Sequence, residues 1–290
     1  MPSNRLAVMG AAGAGEESGV WTQVGSTQTL NTVTCAGISS SRVALIYAPY
    51  HLRMYDFNGT TWSQTGSSLG ITGSSNHRLA SLTATRVAMY DTGSDYLRTF
   101  DWNGTVFAQV GTSLSLVDNI SAICRLTSST IAFIGYTTGL RTYSFNGTSW
   151  SQVGNILATG NVGNNFCCAL TSTRIVVGGT NSDTLKVFDF DGTDWSLTAT
   201  SDSLSPLQYG DLCRLSDNTF ALCYAEGFSS TSHLTKYAFS GTSFTALDDD
   251  FNFGNSYSNT ICEVEAPATD ASRVFTYAGT ATGRTFDWVT

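Results

Sequence analysis

The sequence predicts an all-β fold, a six-bladed β-propeller with four-stranded blades, and three observations support this prediction. A phrase made of a strand, an Asn-Gly-Thr turn and a second strand with a tryptophan recurs, most completely from Leu140 to Gly154. Its turn glycines are 43 to 49 residues apart, a period typical of repeat folds such as propellers. No stretch shows a helical period, and none of the four prolines interrupts a predicted strand.

Each repeat divides into four short strands, a to d. In the third repeat they are predicted at residues 121–126, 130–136, 140–145 and 148–154. The Asn-Gly pair between strands c and d is a strong hairpin signal, because both turn residues need a positive φ. Strand b is apolar and β-branched, as in the Ile-Ala-Phe-Ile run from Ile131, and this indicates a central strand buried on both faces.

One repeat is split between the two ends of the chain. Residues 19–25 match the tryptophan strand alone, and residues 283–288 match the strand that should precede it. Pairing them would complete a sixth unit and close a ring, which removes the exposed sheet edges. We therefore expect units at 32–66, 77–111, 119–154, 165–199, 209–247 and 258–289 with 19–25. A β-solenoid is the alternative, but its coils are shorter and its ends do not exchange strands.

Two resemblances add to this interpretation. The run RIVVGG from Arg174, followed by LKVFD from Leu185 and by Trp195, resembles a kelch-type blade and implies a kelch-like layout. The opening MPSNRLAVMGAAGAG is similar to the small-residue N-termini of virion-associated proteins of tailed bacteriophages. Residues 1–18 lie outside the repeat, and a tail of small residues gains order most easily by docking on a partner or on its own domain. We therefore predict an attachment segment at 1–18, with Leu6, Val8 and Met9 as apolar contacts, and a propeller at 19–290; a loose terminus is the alternative.

Composition restricts the partners. The net charge is −8 and the only lysines are Lys186 and Lys236, which argues against a nucleic-acid partner. Only 12% of the residues are charged, which suits a virion or secreted protein. The apolar run near the N-terminus is too short to span a bilayer, so no membrane insertion is expected. Five of the seven cysteines recur at one place in the repeat and are predicted to be small buried thiols: Cys35, Cys124, Cys168, Cys213 and Cys262.

No catalytic constellation stands out, and we expect a protein that is not an enzyme and needs no cofactor or metal. The Asn-Gly-Thr triplets at Asn58, Asn103 and Asn146 fit the glycosylation pattern, but turn chemistry explains them. The Asp248–Asp250 run favours a solvated loop over a calcium site. A sialidase Asp-box is not matched, because the Asp-x-Gly spacing that this motif requires is not found here. The fucose-binding propeller lectins need a repeated glutamate that is absent here, so both families are weakened but remain open alternatives.

Strand c carries a basic residue in nearly every repeat, and an aspartate often follows three positions later. A structural role, as pairs between blades or with backbone carbonyls, is favoured over repeated ligand sites. The basic residues are Arg53, Arg98, Arg141, Lys186 and Arg284, and the aspartates are Asp56, Asp101, Asp189 and Asp287.

Function is expected on the face that carries the b–c and d–a loops, because these loops vary between repeats while the a–b and c–d turns are uniform. Aromatic and histidine side chains in these loops are the candidate contact residues. They are Tyr50, His51, Tyr96, Tyr136, Phe166, Tyr209, Phe228, Phe251, Phe253 and Tyr257. The favoured function is a structural and binding protein of a phage particle, such as a tail fibre or spike, that meets a host-surface glycan or protein within a larger assembly. A secreted carbohydrate-binding propeller and a glycan-acting hydrolase are the alternatives.

Overall fold

The structure is a computed structural model, and the fold is described from thirteen segments of the chain. These are residues 20–30, 32–71, 77–116, 119–136, 139–159, 165–179, 183–204, 208–225, 231–248, 251–255, 259–264, 273–278 and 282–289. The predicted attachment residues Leu6, Val8 and Met9 lie outside these segments.

The strands form six antiparallel sheets, each with neighbouring strands in the order a, b, c, d. Strand β1 is Val20–Thr29. The first blade contains β2 (Thr32–Ser39), β3 (Arg42–Tyr47), β4 (His51–Phe57) and β5 (Trp62–Gly70). The second contains β6 (Arg78–Ser81), β7 (Arg86–Asp91), β8 (Tyr96–Trp102) and β9 (Phe107–Ser115). The third contains β10 (Ile120–Arg125), β11 (Thr130–Gly135), β12 (Gly139–Phe145) and β13 (Trp150–Leu157).

The second half of the ring repeats this order. The fourth blade contains β14 (Asn165–Thr171), β15 (Arg174–Gly179), β16 (Leu185–Phe190) and β17 (Trp195–Thr200). The fifth contains β18 (Gln208–Arg214), β19 (Thr219–Ala225), β20 (Thr231–Phe239), β21 (Phe244–Ala246) and β22 (Phe251–Asn255). The sixth contains β23 (Asn259–Val264), β24 (Arg273–Ala278) and β25 (Thr282–Val289), with β1 as its outermost strand. The predicted six-bladed propeller is confirmed.

The ring closes as the split repeat predicts. β1 pairs antiparallel with β25, so that Val20 lies opposite Val289 and Trp21 lies opposite Trp288. The two tryptophan rings meet edge to face, with centroids 5.3 Å apart. The sixth blade is therefore built from both ends of the propeller sequence, and its completion joins the first blade to the last.

The hydrophobic core lies between the blades. The buried side chains form six clusters, and each cluster takes its members from two neighbouring blades. At the second–third interface, for example, Tyr90 and Leu97 pack with Phe133 and Trp150. All seven cysteines are buried and none forms a disulfide, which agrees with the prediction of small buried thiols for the five that recur in the repeat.

A glycine bulge in the outermost strand fastens one blade to the next. In β9, Gly111 adopts a φ of 71°, and the following N–H of Thr112 donates to the Thr148 carbonyl in the next blade's turn at 2.7 Å. The strand d of the first, second and third repeats was predicted to end at this glycine. It instead continues through the bulge, because the turned backbone rejoins the ladder. The equivalent bonds are Ser26 to Thr60 (2.8 Å), Ser67 to Thr105 (2.7 Å) and Asn155 to Thr193 (2.7 Å).

The first residue of strand d packs against the preceding blade, and its type matches what that blade offers. The buried Trp150 indole N–H donates to the Thr99 hydroxyl at 2.8 Å. Where strand c of the preceding blade has Met54 or Val187 instead of threonine, the packed residue is a phenylalanine, which needs no acceptor. The other tryptophan–threonine pairs are Trp62 with Thr285 (2.7 Å) and Trp195 with Thr142 (2.9 Å).

The repeated aspartates of strand c form ion pairs inside their own blade. Nε and Nη2 of Arg86, at the start of strand b, donate to both carboxylate oxygens of Asp101 at 2.6 and 2.7 Å. Arg86 also lies over the Phe145 ring of the next blade, 5.5 Å from its centroid. The expected pairing of these aspartates between adjacent blades is therefore wrong. Arg42–Asp56, Arg174–Asp189 and Arg273–Asp287 repeat the arrangement.

Candidate functional site

The order of strands in each sheet places the connections on two faces. The a–b and c–d turns lie on one face, which we call the turn face, and the b–c and d–a connections lie on the other, which we call the loop face. β1 is a strand d and therefore starts at the turn face.

A backbone hydrogen bond that recurs in several blades fixes the connections on the loop face. Asp95, just before strand c of the second blade, adopts a φ of 54°, and its carbonyl accepts the N–H of Leu116, beyond strand d, at 2.7 Å. The same bond joins Tyr50 (φ 51°) to Ile71 at 2.8 Å and Asp183 (φ 46°) to Leu204 at 2.7 Å. The side chain after the positive-φ residue varies above this constant frame. It is His51 in the first blade, Tyr96 in the second and Thr184 in the fourth.

The predicted loop-face residues have different surroundings. Tyr96 is exposed, at 36%, and lies beside Arg98. Tyr50, His51 and Tyr136 are half-buried. Each of these four residues lies at or next to a b–c connection on the loop face.

The remaining predicted residues are less available. Phe166 is 4% exposed and lies in the core, where its ring fills the space beside Gly178 and Gly210, so it cannot serve as a loop-face contact. Phe251 packs edge to face on Phe286. Tyr209 and Phe253 are described only as backbone of β18 and β22, and Phe228 and Tyr257 lie outside the described segments.

A polar cluster lies between the first and second blades at the loop face. The fully buried Asp91 accepts hydrogen bonds from the Gly93 N–H (3.0 Å) and the Ser94 hydroxyl (2.6 Å). Nδ1 of His77 lies 3.6 Å from one carboxylate oxygen of Asp91, and Nη1 of Arg98 lies 3.7 Å from the other. Tyr50 of the first blade covers His77 edge to face, with the ring centroids 5.4 Å apart.

His77 is the least satisfied member of this cluster. It is 0% exposed, and neither of its ring nitrogens has a hydrogen-bond partner among the described residues. Burial lowers its pKa, an effect that Asp91 opposes and the Arg98 charge reinforces. The imidazole is therefore held neutral, and it adds no charge to balance Asp91.

Two of the strand-c arginines, Arg53 and Arg98, make contacts that differ from those of the strand-b arginines. Arg53 stacks on the Tyr47 ring at 4.5 Å. Arg98 reaches Asp91 only at 3.7 Å and donates to Ser94 at 3.4 Å, whereas the Arg86–Asp101 bonds are 2.6 and 2.7 Å. The Arg98 guanidinium is thus weakly engaged by its neighbours.

A second polar group lies along the innermost strands. Asp211 is half-buried and accepts hydrogen bonds from the Ile261 N–H (3.1 Å) and the Leu212 N–H (2.9 Å). Burial raises its pKa to about 7, against the opposing effect of these bonds and of Arg78. Arg78 donates to the Ser121 carbonyl of the next blade. Both side chains satisfy backbone groups that the edge strands leave open, which indicates a structural role.

The described residues contain no group of three or more histidines, cysteines or acids that could hold a metal ion. Asp248 accepts the Lys236 N–H at 2.9 Å, while Asp249 and Asp250 lie outside the described segments. In the portion of the chain that is described, no helix has the length and apolar character needed to cross a membrane.

The cluster of Asp91, Ser94 and His77 was not predicted from the sequence. Asp91 ends a strand b that is otherwise apolar, and this break in the pattern is the signal that could have singled it out. His77 offered no such signal, because its partners come from a different strand and from the neighbouring blade.

No family model matches the chain, and no curated protein matches it. Similar solved structures include a mutant of the Aleuria aurantia lectin in complex with Fucα1-6GlcNAc, with a TM-score of 0.61, 13% identity, and coverage of 91% of this chain and 94% of the lectin. AofleA from Arthrobotrys oligospora has a TM-score of 0.59 and 9% identity, with coverage of 97% of this chain and 89% of AofleA. A Bacteroides thetaiotaomicron protein of unknown function has a TM-score of 0.60 and 11% identity, with coverage of 94% of this chain and 73% of that protein. These similarities show the propeller fold.

Proposed function

We propose that this chain is a non-enzymatic binding propeller whose loop face recognises a glycan or a protein on a host-cell surface, and that residues 1–18 attach it to a bacteriophage particle. One observation carries the binding role. The backbone bond that frames the loop face repeats in the first, second and fourth blades, while the side chain after the positive-φ residue changes from His51 to Tyr96 to Thr184. Recognition residues are commonly variable positions on a rigid scaffold.

The direction of the chain supports the attachment role. The chain enters the propeller at Val20 on the turn face, so a tether made from the preceding residues would leave the loop face directed away from the particle. The phage setting itself rests on the similarity of residues 1–15 to virion-associated N-termini. Within this proposal the partners are other virion proteins at one end and a host-surface molecule at the other.

Deletion of residues 1–18 tests the attachment role. We expect a folded, soluble propeller that no longer enters particles, measured by circular dichroism and by co-purification with virions. Normal incorporation of the truncated chain would contradict attachment through this segment.

Binding to host cells tests the recognition role. The purified propeller should adhere to host cells and compete with particle adsorption, and a variant of the loop-face residue Tyr96→Ala should compete less well than a turn-face control, Arg125→Gln. Equal competition by both variants would argue against recognition by this part of the loop face.

A glycan array separates the glycan-binding form of this function, which a secreted lectin-like propeller would share, from recognition of a protein. The Aleuria aurantia lectin, which has a similar fold, is seen with a fucosylated disaccharide. Measurable glycosidase turnover that is lost on replacing one loop carboxylate would instead favour the hydrolase alternative.

A further inference from the structure

We propose that two pairs of buried cysteines, Cys35 with Cys262 and Cys124 with Cys167, form disulfides when the chain folds under oxidising conditions, and that these bridges join neighbouring blades covalently. The inference is independent of what the loop face binds.

The packing between blades brings the members of each pair together. Cys35 in β2 and Cys262 in β23 lie in the buried cluster between the first and sixth blades. Cys124 in β10 and Cys167 in β14 lie in the cluster between the third and fourth blades. All four cysteines are on strand a, the innermost strand of a blade. Each pair therefore spans a joint, with one thiol from each side.

The two thiols of each pair are also in contact. Cys35 shares a side-chain hydrogen bond with Cys262, and Cys167 shares one with Cys124. A disulfide requires this kind of approach, because the S–S bond is only about 2 Å long and the two Cβ atoms lie about 4 Å apart. Thiols that already touch need little backbone movement to be joined.

The adjacent Cys168 shows that a place in the repeat is not sufficient for such a pair. It occupies the same place in its repeat as Cys35 and Cys124. Its side chain lies in the cluster between the fourth and fifth blades, where the described residues include no second cysteine. Successive residues of a strand point to opposite faces, so Cys167 alone faces the third blade. Cys168 is therefore an internal control.

The oxidation needs an electron acceptor, and a small disulfide such as oxidised glutathione supplies it. The thiolate of one cysteine attacks a glutathione sulfur, which forms a mixed disulfide and releases the first glutathione thiol. The thiolate of the second cysteine then attacks the mixed disulfide, and the second glutathione leaves with the electron pair. Both protons of the protein thiols pass to the released glutathiones, so one glutathione disulfide is reduced for each bridge formed.

Burial determines when this reaction can occur. The four thiols are 4–7% exposed or close to it, at 6% for Cys35, 5% for Cys262, 7% for Cys124 and 5% for Cys167. Burial and the bond to Cys262 raise the pKa of Cys35, and the bond to Cys124 together with burial raises the pKa of Cys167. The reactive thiolate is therefore scarce in the folded chain. Oxidation accompanies folding or the opening of a joint, in an environment that is oxidising.

The bridge between Cys35 and Cys262 would close the ring a second time. The pairing of β1 with β25 completes the sixth blade through hydrogen bonds at its outer side. The bridge would join the first and sixth blades at their innermost strands, and its covalent loop would enclose residues 35–262. A disulfide stabilises mainly by restricting the unfolded chain, so both bridges should stabilise the ring.

The test compares the full chain refolded from denaturant in a buffer of oxidised and reduced glutathione with the same chain refolded in reductant. We expect the oxidised chain to lose two hydrogens per bridge in its intact mass. A peptide map made without reductant should contain Cys35 linked to Cys262 and Cys124 linked to Cys167. The midpoint of thermal unfolding should rise by roughly 5–15 °C and return to the reduced value when reductant is added.

Single variants assign each bridge. Cys35→Ala should lose the first bridge and keep the second, Cys124→Ala should do the reverse, and the control Cys168→Ala should keep both. If a variant fails to fold, the partner variants Cys262→Ala and Cys167→Ala replace it, and the map of the wild type stands without any variant.

Three results would overturn the inference. A folded oxidised chain in which every thiol still reacts after unfolding would refute both bridges, and a map with only one of them would refute the missing pair. Bridges to other cysteines, above all to Cys168, would refute the pairing. Correct bridges without a rise in the thermal midpoint would refute the stabilisation of the joints.

Discussion

Replacing the bulge glycine Gly111 with alanine should loosen the joint between the second and third blades. A Cβ at this position would lie 2.4 Å from the Thr148 carbonyl oxygen, far inside van der Waals contact. The two blades would have to separate, and the Thr112-to-Thr148 hydrogen bond of 2.7 Å would be lost.

The turn glycine Gly104 supplies a matched control. It adopts a φ of 95°, and a Cβ there would meet no atom within 4 Å. Gly104→Ala should therefore cost only backbone strain, about 1–2 kcal/mol. Gly111→Ala should cost similar or smaller strain at its φ of 71°, plus about 1–3 kcal/mol for the displaced carbonyl and its lost bond.

Urea unfolding of the two variants measures this difference. Backbone strain alone predicts that Gly104→Ala is at least as destabilising, because its φ lies further from the left-handed helical minimum near 57°. Contact with the next blade predicts the reverse order, by about 1 kcal/mol or more. An equal or larger loss of stability for Gly104→Ala would refute the role given to the bulge.

Three further predictions concern stability. Trp150→Phe should lower the free energy of unfolding by about 1 kcal/mol, because the Thr99 hydroxyl loses its donor, and adding Thr99→Val should recover most of this loss. A double-mutant cycle in urea measures the coupling, and additive losses of stability would contradict the pairing. Arg42 lowers the pKa of Asp56, so their contribution is present above the ordinary value of 3.8 and is lost as the pH falls below it. Asp56→Asn should flatten thermal stability in that acid range, and an unchanged acid profile would speak against it. Burial raises the pKa of Asp211 to about 7, so the folded chain binds more protons than the unfolded chain between pH 3.8 and 7, and stability should fall with rising pH by up to about 1.4 kcal/mol per pH unit. Asp211→Asn should remove this slope, and a slope that persists would point to another group.

The architecture could be predicted from the sequence because the same residue types form the same turns and strands in each blade. The Asn-Gly turn at Asn146, whose side chain accepts the N–H groups of Thr148 and Ser149 at 2.9 Å, is fixed by neighbours along the chain. The split repeat likewise predicts closure from the match of Val20–Trp21 to the end of the chain.

The joints between blades could not be predicted in the same way, because each partner lies about one repeat away. Gly66 and Gly111 form bulges that contact a carbonyl in the next blade, so the sequence alone predicts strand ends at these glycines. The choice between tryptophan (Trp150) and phenylalanine (Phe107) at the start of strand d could have been predicted from the sequence, because it depends on whether strand c of the preceding blade has a threonine or a methionine. Strand d of the fifth blade is also divided, into β21 and β22, on either side of an insertion that has no counterpart in the other repeats.

The antiparallel pairing of β1 with β25 also determines how the ring would carry mechanical load. If residues before Val20 are pulled away from the turn face while a ligand holds the loop face, the force runs along the axis of β1. The hydrogen bonds from Val20–Val289 to Thr29–Thr282 are then loaded together in shear, and the Ser26-to-Thr60 hydrogen bond further connects β1 to the first blade. If the two strand ends at Val20 and Val289 were pulled apart instead, the same ladder would open one pair at a time. The force needed to separate β1 from β25 is therefore high when the pull is along the strands and low when the two strand ends are pulled apart.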